Sequence, residues 1–143
     1  MIGQGGFLEY AQIYSNFYGT PKGPVMKYLE EGKDVILEIE MQGARQVKEM
    51  YPEAVLIFVL PPSLEELRNR LTTRGTETQE QVNERLSTSF EEIKQVKDYN
   101  YFIFNENNKT TESAMIIENL IVAEKNKASR YEKAIIKKFE EEL

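Results

Sequence analysis

Apolar and polar positions fall in short alternating blocks along this chain, and the blocks predict strands and helices in turn. Phe7 to Tyr14, rich in aromatic and aliphatic residues, predicts a strand. Thr20-Pro21 predicts a helix start, with Thr20 as cap and Pro21 in the first turn. That helix runs to about Glu31 and stops at Gly32. Val35 to Ile39 predicts a short strand bounded by charges, and Gln42 to Met50 a helix. Ala54 to Leu60 is a nearly continuous apolar run closed by Pro61-Pro62, the pattern of a strand buried on both faces. Ser63 caps the next helix, Glu66 completes a capping box, and Leu64, Leu67 and Leu71 form the apolar face. Arg74-Gly75-Thr76-Glu77-Thr78 predicts an exposed loop. Gln79 to Val96 reads as a helix and Tyr101 to Phe104 as a strand, and one long helix with an exposed Lys-rich end is expected from about Thr111.

Short apolar strands separated by helices imply an α/β fold with a parallel sheet covered on both faces. Ligands in such folds sit at the carboxyl ends of the strands. The chain has 143 residues, enough for one domain, and shows no internal repeat or low-complexity linker.

Composition narrows the chemistry. Cysteine and histidine are both absent, which excludes disulfides, thiolate nucleophiles, histidine bases and histidine metal ligands. What remains is carboxylates, Arg, Lys, Tyr, hydroxyls and the backbone. A net charge of −6 argues against broad binding of nucleic acid, so no nucleic-acid partner is expected. No apolar run is long enough for a bilayer, so no membrane partner is expected. Gly3-Gln4-Gly5-Gly6 follows Met1 where a signal peptide would need an apolar stretch, and the expected compartment is the cytoplasm.

Several side chains fall at strand ends or beside loops. Glu38 and Glu40 flank Ile39, so both point one way if the segment is extended. They suit a magnesium ion held through water or the donors of a base; the alternative is a solvated strand end with Glu40 capping a helix. Glu9, inside the first predicted strand, reads more readily as a residue of the exposed face than as one held by a partner. Arg70 and Arg74 share a helix face, and Arg85 lies on the next helix. Together they could clamp phosphate; taken singly, each could as well pair with Glu66, Glu77 or Glu84 on the surface. Tyr18 and Thr20 bracket Gly19 before a predicted helix start, which offers either a phosphate site or plain capping with Tyr18 in the core.

A phosphate loop of the form G-x-x-x-x-G-K-[ST] does not occur. Gly32-Lys33 is followed by Asp34, and Lys27 stands where the first glycine belongs. Gly3-Gln4-Gly5-Gly6 lacks a preceding strand and a following helix, and reads as a turn.

The order of motifs nevertheless resembles the guanylate kinase family. The resemblance rests on Phe7-Leu8-Glu9-Tyr10-Ala11, Asn16-Phe17-Tyr18-Gly19-Thr20-Pro21 and Leu37-Glu38-Ile39-Glu40-Met41-Gln42-Gly43. It continues through Phe58-Val59-Leu60-Pro61-Pro62-Ser63, Arg74-Gly75-Thr76-Glu77 and Asn105-Glu106. It implies a three-layer, parallel-sheet P-loop nucleoside monophosphate kinase fold that lacks its first strand and phosphate loop. Within a single domain 1–143, residues 1–20 would be the remnant of a small GMP-binding β subdomain, 21–73 and 97–143 the core, and 74–96 the lid. It implies transfer of the γ-phosphate of ATP to GMP with Mg2+. Glu9 would meet the guanine base, Tyr18 and Thr20 the GMP phosphate, and Glu38 and Glu40 would help seat GMP and the magnesium-bound phosphates. Arg70 and Arg74 would close over ATP, Arg85 would reach the phosphates in transfer, and Asn105 would lie near the adenine. Glu40 stands where the family often has Asp, which keeps the charge and moves it by one methylene. Without a phosphate loop the chain is expected to be inactive alone and to self-associate through a gap in its sheet. The rival readings are a non-catalytic, guanylate-kinase-like binding module and a kinase for another nucleoside monophosphate. Guanine's N1–H and amino donors favour the carboxylates Glu9 and Glu40.

Overall fold

A computed structural model describes residues 5–13 and 15–143. The chain divides into two compact units, one ending at Leu56 and the other beginning at Ile57.

The first unit is built on an antiparallel hairpin of β1 (Phe7–Ile13) and β2 (Asn16–Pro21). Tyr14, expected in the first strand, and Gly3-Gln4 of the glycine-rich turn lie outside the described residues; Gly5 of that turn has a φ of 69°. β2 is a correction to the sequence reading. Thr20 belongs to this strand, and α1 (Lys22–Glu30) begins after Pro21 with no side-chain cap. Pairing with β1 holds the segment extended despite Gly19 and Pro21, and Pro21 sits at the strand end where its missing N–H costs little.

α1 ends as predicted. Gly32 takes a φ of 77°, and the amides of Gly32 and Lys33 donate to the carbonyls of Leu29 and Tyr28, a Schellman closure. α2 (Met41–Met50) packs Ala44 and Val47 inward and lies against β1. The segment 33–40 is not a strand. Val35, Leu37 and Ile39 are half-buried and alternate with exposed Ile36, Glu38 and Glu40, the two-residue period of an extended chain. It pairs with no strand among the described residues, so the ladder that would make it one is missing.

The second unit contains a parallel pair, β3 (Ile57–Leu60) and β4 (Tyr101–Phe104), in register Ile57 to Tyr101 and Leu60 to Phe104. Here too the expectation is corrected. The described residues form two separate two-stranded sheets, not one covered parallel sheet. The apolar run is shorter as a strand than its sequence suggests and is not buried on both faces, because Val59 remains exposed, as do Phe102 and Phe104 on the neighbouring β4.

α3 (Leu64–Thr73) and α4 (Gln79–Ile93) form a helical hairpin around Leu67, Leu71, Val82 and Leu86. Ser63 Oγ accepts from the Glu66 amide, half of the predicted capping box. The complete box is at Thr78 and Gln81, where the T-x-x-Q spacing carried the signal. The loop at 74–78 is as expected, with Gly75 at a φ of 65°. A 3₁₀ turn, Lys94–Asp98, takes the place of the last turn predicted for α4.

The predicted terminal helix is two helices, α5 (Thr110–Lys125) and α6 (Ala128–Glu140). The Asn126 side chain donates to the Val122 carbonyl and Lys127 is extended, which ends α5. Arg130 Nε meets Glu124 Oε2 at 2.7 Å and closes the corner.

Candidate functional site

In the first unit the hairpin brings Glu9 opposite Thr20 in the β1–β2 register. An irregularity between Phe7 and Glu9 breaks the alternation of β1, so Leu8 and Glu9 are both buried. Glu9 is only 5% exposed, which overturns the exposed-face reading. A buried carboxylate needs partners. Thr20 Oγ1 donates to Glu9 Oε1 at 2.6 Å, so Thr20 serves Glu9 instead of capping α1. The other carboxylate oxygen lies against Gly43 in the first turn of α2. A Cβ there would overlap Oε2 outright and come within 2.9 Å of Cδ. The amino end of α2 therefore abuts the carboxylate, and its partial positive charge offsets the negative one.

Gln46, on the same helix, fixes the arrangement. Its amide accepts from the Tyr10 N–H at 3.1 Å and donates to the Tyr10 carbonyl at 2.8 Å. The side chain imitates a neighbouring strand and ties α2 to the outer edge of β1. Tyr18 is exposed on β2, not packed in a core. Glu38 and Glu40 are exposed, and their side chains make no hydrogen bond or ion pair among the described residues. Glu40 occupies the N-cap position of α2, yet its side chain makes no cap bond, so the capping alternative fails.

In the second unit the arginines have distinct surroundings. Arg70 Nη2 donates to the Asn105 carbonyl at 3.1 Å and to Asn107 Oδ1 at 3.0 Å, while Nε lies 3.4 Å from Glu66 Oε1. Asn107 Nδ2 also donates to Glu66 at 2.5 Å. Arg70 thus ties α3 to the loop after β4. Beside it lies a cavity of about 260 Å³ lined by Phe58, Leu60, Pro61, Leu67 and Asn105 among others. Asn105 itself is held by its amide, which donates to the Leu60 carbonyl at 2.7 Å.

Arg74 stands at the carboxyl end of α3, exposed, its side chain without a partner among the described residues. Arg85 meets Glu77 Oε1 at 3.0 Å, and the other Glu77 oxygen is buried without a partner. The partners of Arg70 and Arg85 are separate, and no hydrogen bond links the three arginines. Two of them make the surface pairs considered above, with Glu66 and Glu77; Glu84 takes no part. Sequence reasoning missed Gly43, Gln46 and Asn107. The first stood in plain view within Met41-Gln42-Gly43, where a glycine in a helix's first turn signals close approach of another group.

No cluster of three or more acidic residues suited to a metal occurs among the described residues. Among the described residues no helix is long and apolar enough to cross a membrane.

Residues 1–124 match the family model described as guanylate kinase. The chain is 64% identical over 143 residues to a guanylate kinase of Clostridioides difficile (strain 630), covering all of this chain and 69% of that protein. It is 48% identical over 135 residues to one from Clostridium tetani (strain Massachusetts / E88), covering 94% of this chain and 64% of the relative. The crystal structure of guanylate kinase from Anaplasma phagocytophilum superposes with a TM-score of 0.70 at 35% identity, over 88% of this chain and 60% of that one. The chain thus spans about two thirds of the length of the relatives it matches.

Proposed function

The chain belongs to the guanylate kinase family, and from that premise we propose that it supplies the GMP site and the lid arginines of an enzyme that transfers the γ-phosphate of ATP to GMP. The observation that carries this reading is the buried Glu9 carboxylate, held by Thr20 and seated against Gly43. Guanine presents an N1–H and an amino group side by side, and a fixed carboxylate accepts from such donors where adenine would offer an acceptor at N1. Glu40 supplies a second acceptor, and Tyr18 and Thr20 face the GMP phosphate.

Arg70, Arg74 and Arg85 act on the phosphates of ATP. Arg74 and Arg85 lie on the exposed side of the α3–α4 hairpin, which serves as the lid over 74–96. Catalysis is positioning plus neutralisation of charge by guanidiniums, with no covalent intermediate. Arg70 doubles as a strut, since its bonds to Asn105 and Asn107 place it beside the cavity assigned to adenine. Magnesium fits the carboxylates present. It is commonly bound through one or two carboxylates, water and substrate phosphates, and Glu38 and Glu40 are exposed and uncommitted. When bound it would neutralise charge on the phosphates.

The fold assigned is that of a P-loop nucleoside monophosphate kinase whose first strand and phosphate loop are not among these residues. The chain alone is therefore inactive. The apolar side chains open on the β3–β4 pair support self-association through a gap in the sheet as part of the same reading. The test is a coupled assay of ADP release, run on this chain and on a chimaera that joins it to the segment of the C. difficile relative it does not cover. The chain alone gives no turnover, and the chimaera phosphorylates GMP in preference to AMP and UMP. A folded but inactive chimaera, or one indifferent to the base, contradicts the proposal.

A further inference from the structure

Glu9, Glu77 and Glu124 are carboxylates largely shielded from solvent. Two of them are fully engaged. Glu9 has the Thr20 hydroxyl on one oxygen and the first turn of α2 against the other. Glu124 takes the Tyr101 hydroxyl on Oε1 and Arg130 on Oε2. Glu77 differs. Its Oε1 lies 3.0 Å from Arg85 Nη2, while Oε2 is buried and has no partner, the one such side-chain atom among the described residues. A buried acceptor left open costs stability, so this pair is not built for stability alone.

The backbone that carries Glu77 is held on both sides. Gly75, at a φ of 65°, donates its amide to the Thr72 carbonyl and turns the chain off α3. Thr78 follows Glu77 and caps α4 reciprocally. Its hydroxyl accepts from the Gln81 amide at 3.2 Å, and its amide donates to Gln81 Oε1 at 2.9 Å. Arg85 stands on α4 between the buried Val82 and Leu86, which fix the root of its side chain. The two partners are unequally exposed, the Glu77 side chain by 15% and that of Arg85 by 49%. The pairs Lys33–Glu31 and Lys94–Glu91, by contrast, are open to solvent at both ends. A fixed, shielded anion thus grips one corner of a guanidinium whose other N–H groups make no hydrogen bond among the described residues.

We propose that Glu77 is a positioning residue for phosphoryl transfer: its carboxylate aims the Arg85 guanidinium at the phosphate in transfer. The inference rests on the role given to Arg85 above. Held at Nη2, the side chain need not be ordered afresh in each turnover, and its remaining donors stay available to phosphate oxygens. No other polar group competes for Glu77 among the described residues.

Steady-state kinetics of the chimaera tests it. Glu77→Gln lowers kcat about tenfold with KM for GMP unchanged, and Glu77→Asp, which keeps the charge, lowers it about threefold or less. In an Arg85→Ala background, Glu77→Gln changes kcat by less than about twofold, because the group it positions is gone. Equal losses in both backgrounds overturn the inference. So does a Glu77→Gln chimaera of full activity where Arg85→Ala lowers kcat. An Arg85→Ala chimaera with kcat intact contradicts the lid assignment itself, and this inference falls with it. The 143-residue chain gives a readout without catalysis. NMR relaxation of Arg85 Nε shows an ordered group that becomes mobile in Glu77→Gln, with circular dichroism unchanged. An Nε equally ordered or equally mobile in both overturns the proposal.

Discussion

Thr20 on β2 hands its hydroxyl hydrogen to Glu9 on β1 at 2.6 Å, and this one bond keeps a buried carboxylate oxygen paired. Thr20→Val removes the donor while keeping the shape. It costs about 1–3 kcal/mol, the usual penalty for an unsatisfied buried acceptor. Thr20→Ser, which keeps the hydroxyl, costs much less. Urea unfolding of the two variants beside the wild type measures both.

The seat at Gly43 allows a second test. Gly43→Ala drives a methyl into the Glu9 carboxylate, which is too enclosed to swing aside. Overpacking of this kind costs about 1–3 kcal/mol, which outweighs the gain of about 1 kcal/mol or less in helix propensity. Unfolding curves give the net loss. On the proposed reading GMP affinity falls as well, because the crowded carboxylate is the one proposed to accept from the base.

The polar ties of Arg70 separate positioning from charge. Asn107→Ala deletes one acceptor for Arg70 and one donor to Glu66. These groups are partly exposed, so stability changes by only about 0.5–1 kcal/mol. In the active chimaera, KM for ATP rises about threefold to tenfold as Arg70 loosens. Arg74→Ala instead lowers kcat by about 10²-fold or more, with the fold retained. Steady-state kinetics distinguishes the two patterns.

The Tyr101–Glu124–Arg130 cluster sets a pH dependence. The Tyr101 hydroxyl and then Arg130 hold the Glu124 carboxyl below its ordinary value of 4.5, against the opposing effect of burial. A depressed folded value means that the stabilisation is present above the unfolded carboxyl's range and lost as pH falls through the folded value. Tyr101 is raised from 10.0, chiefly by the same hydrogen bond, so its share is present below that pH and lost as pH rises through the folded value. Thermal unfolding across pH checks both limbs. Glu124→Gln flattens the acid limb, and Tyr101→Phe flattens the alkaline one.

Local signals were legible where a local rule decided the outcome. Gly32 stops α1, Ser63 starts α3, and Tyr101 to Phe104 pairs as a strand. Tertiary partners decided the remainder. Asn16 to Pro21 is extended because β1 lies beside it, and Val35 to Ile39 is not a strand because nothing pairs with it among the described residues. The burial of Glu9 escapes period-two counting because a register irregularity turns two successive residues inward. The break between α5 and α6 depends on Asn126 and on the Arg130–Glu124 pair across the corner. The arginines were picked out by type and spacing. What they hold, Asn105 and Asn107 for Arg70 and Glu77 for Arg85, lies too far along the chain or in too irregular a loop for spacing to show.

Calorimetric titration of this chain with GMP, AMP and UMP tests the central claim most directly. GMP should bind at least about tenfold more tightly than the other two, a difference of about 1.4 kcal/mol, and Glu9→Gln should erase most of that preference. A folded chain that binds no GMP, or a preference for GMP that survives Glu9→Gln, would contradict it.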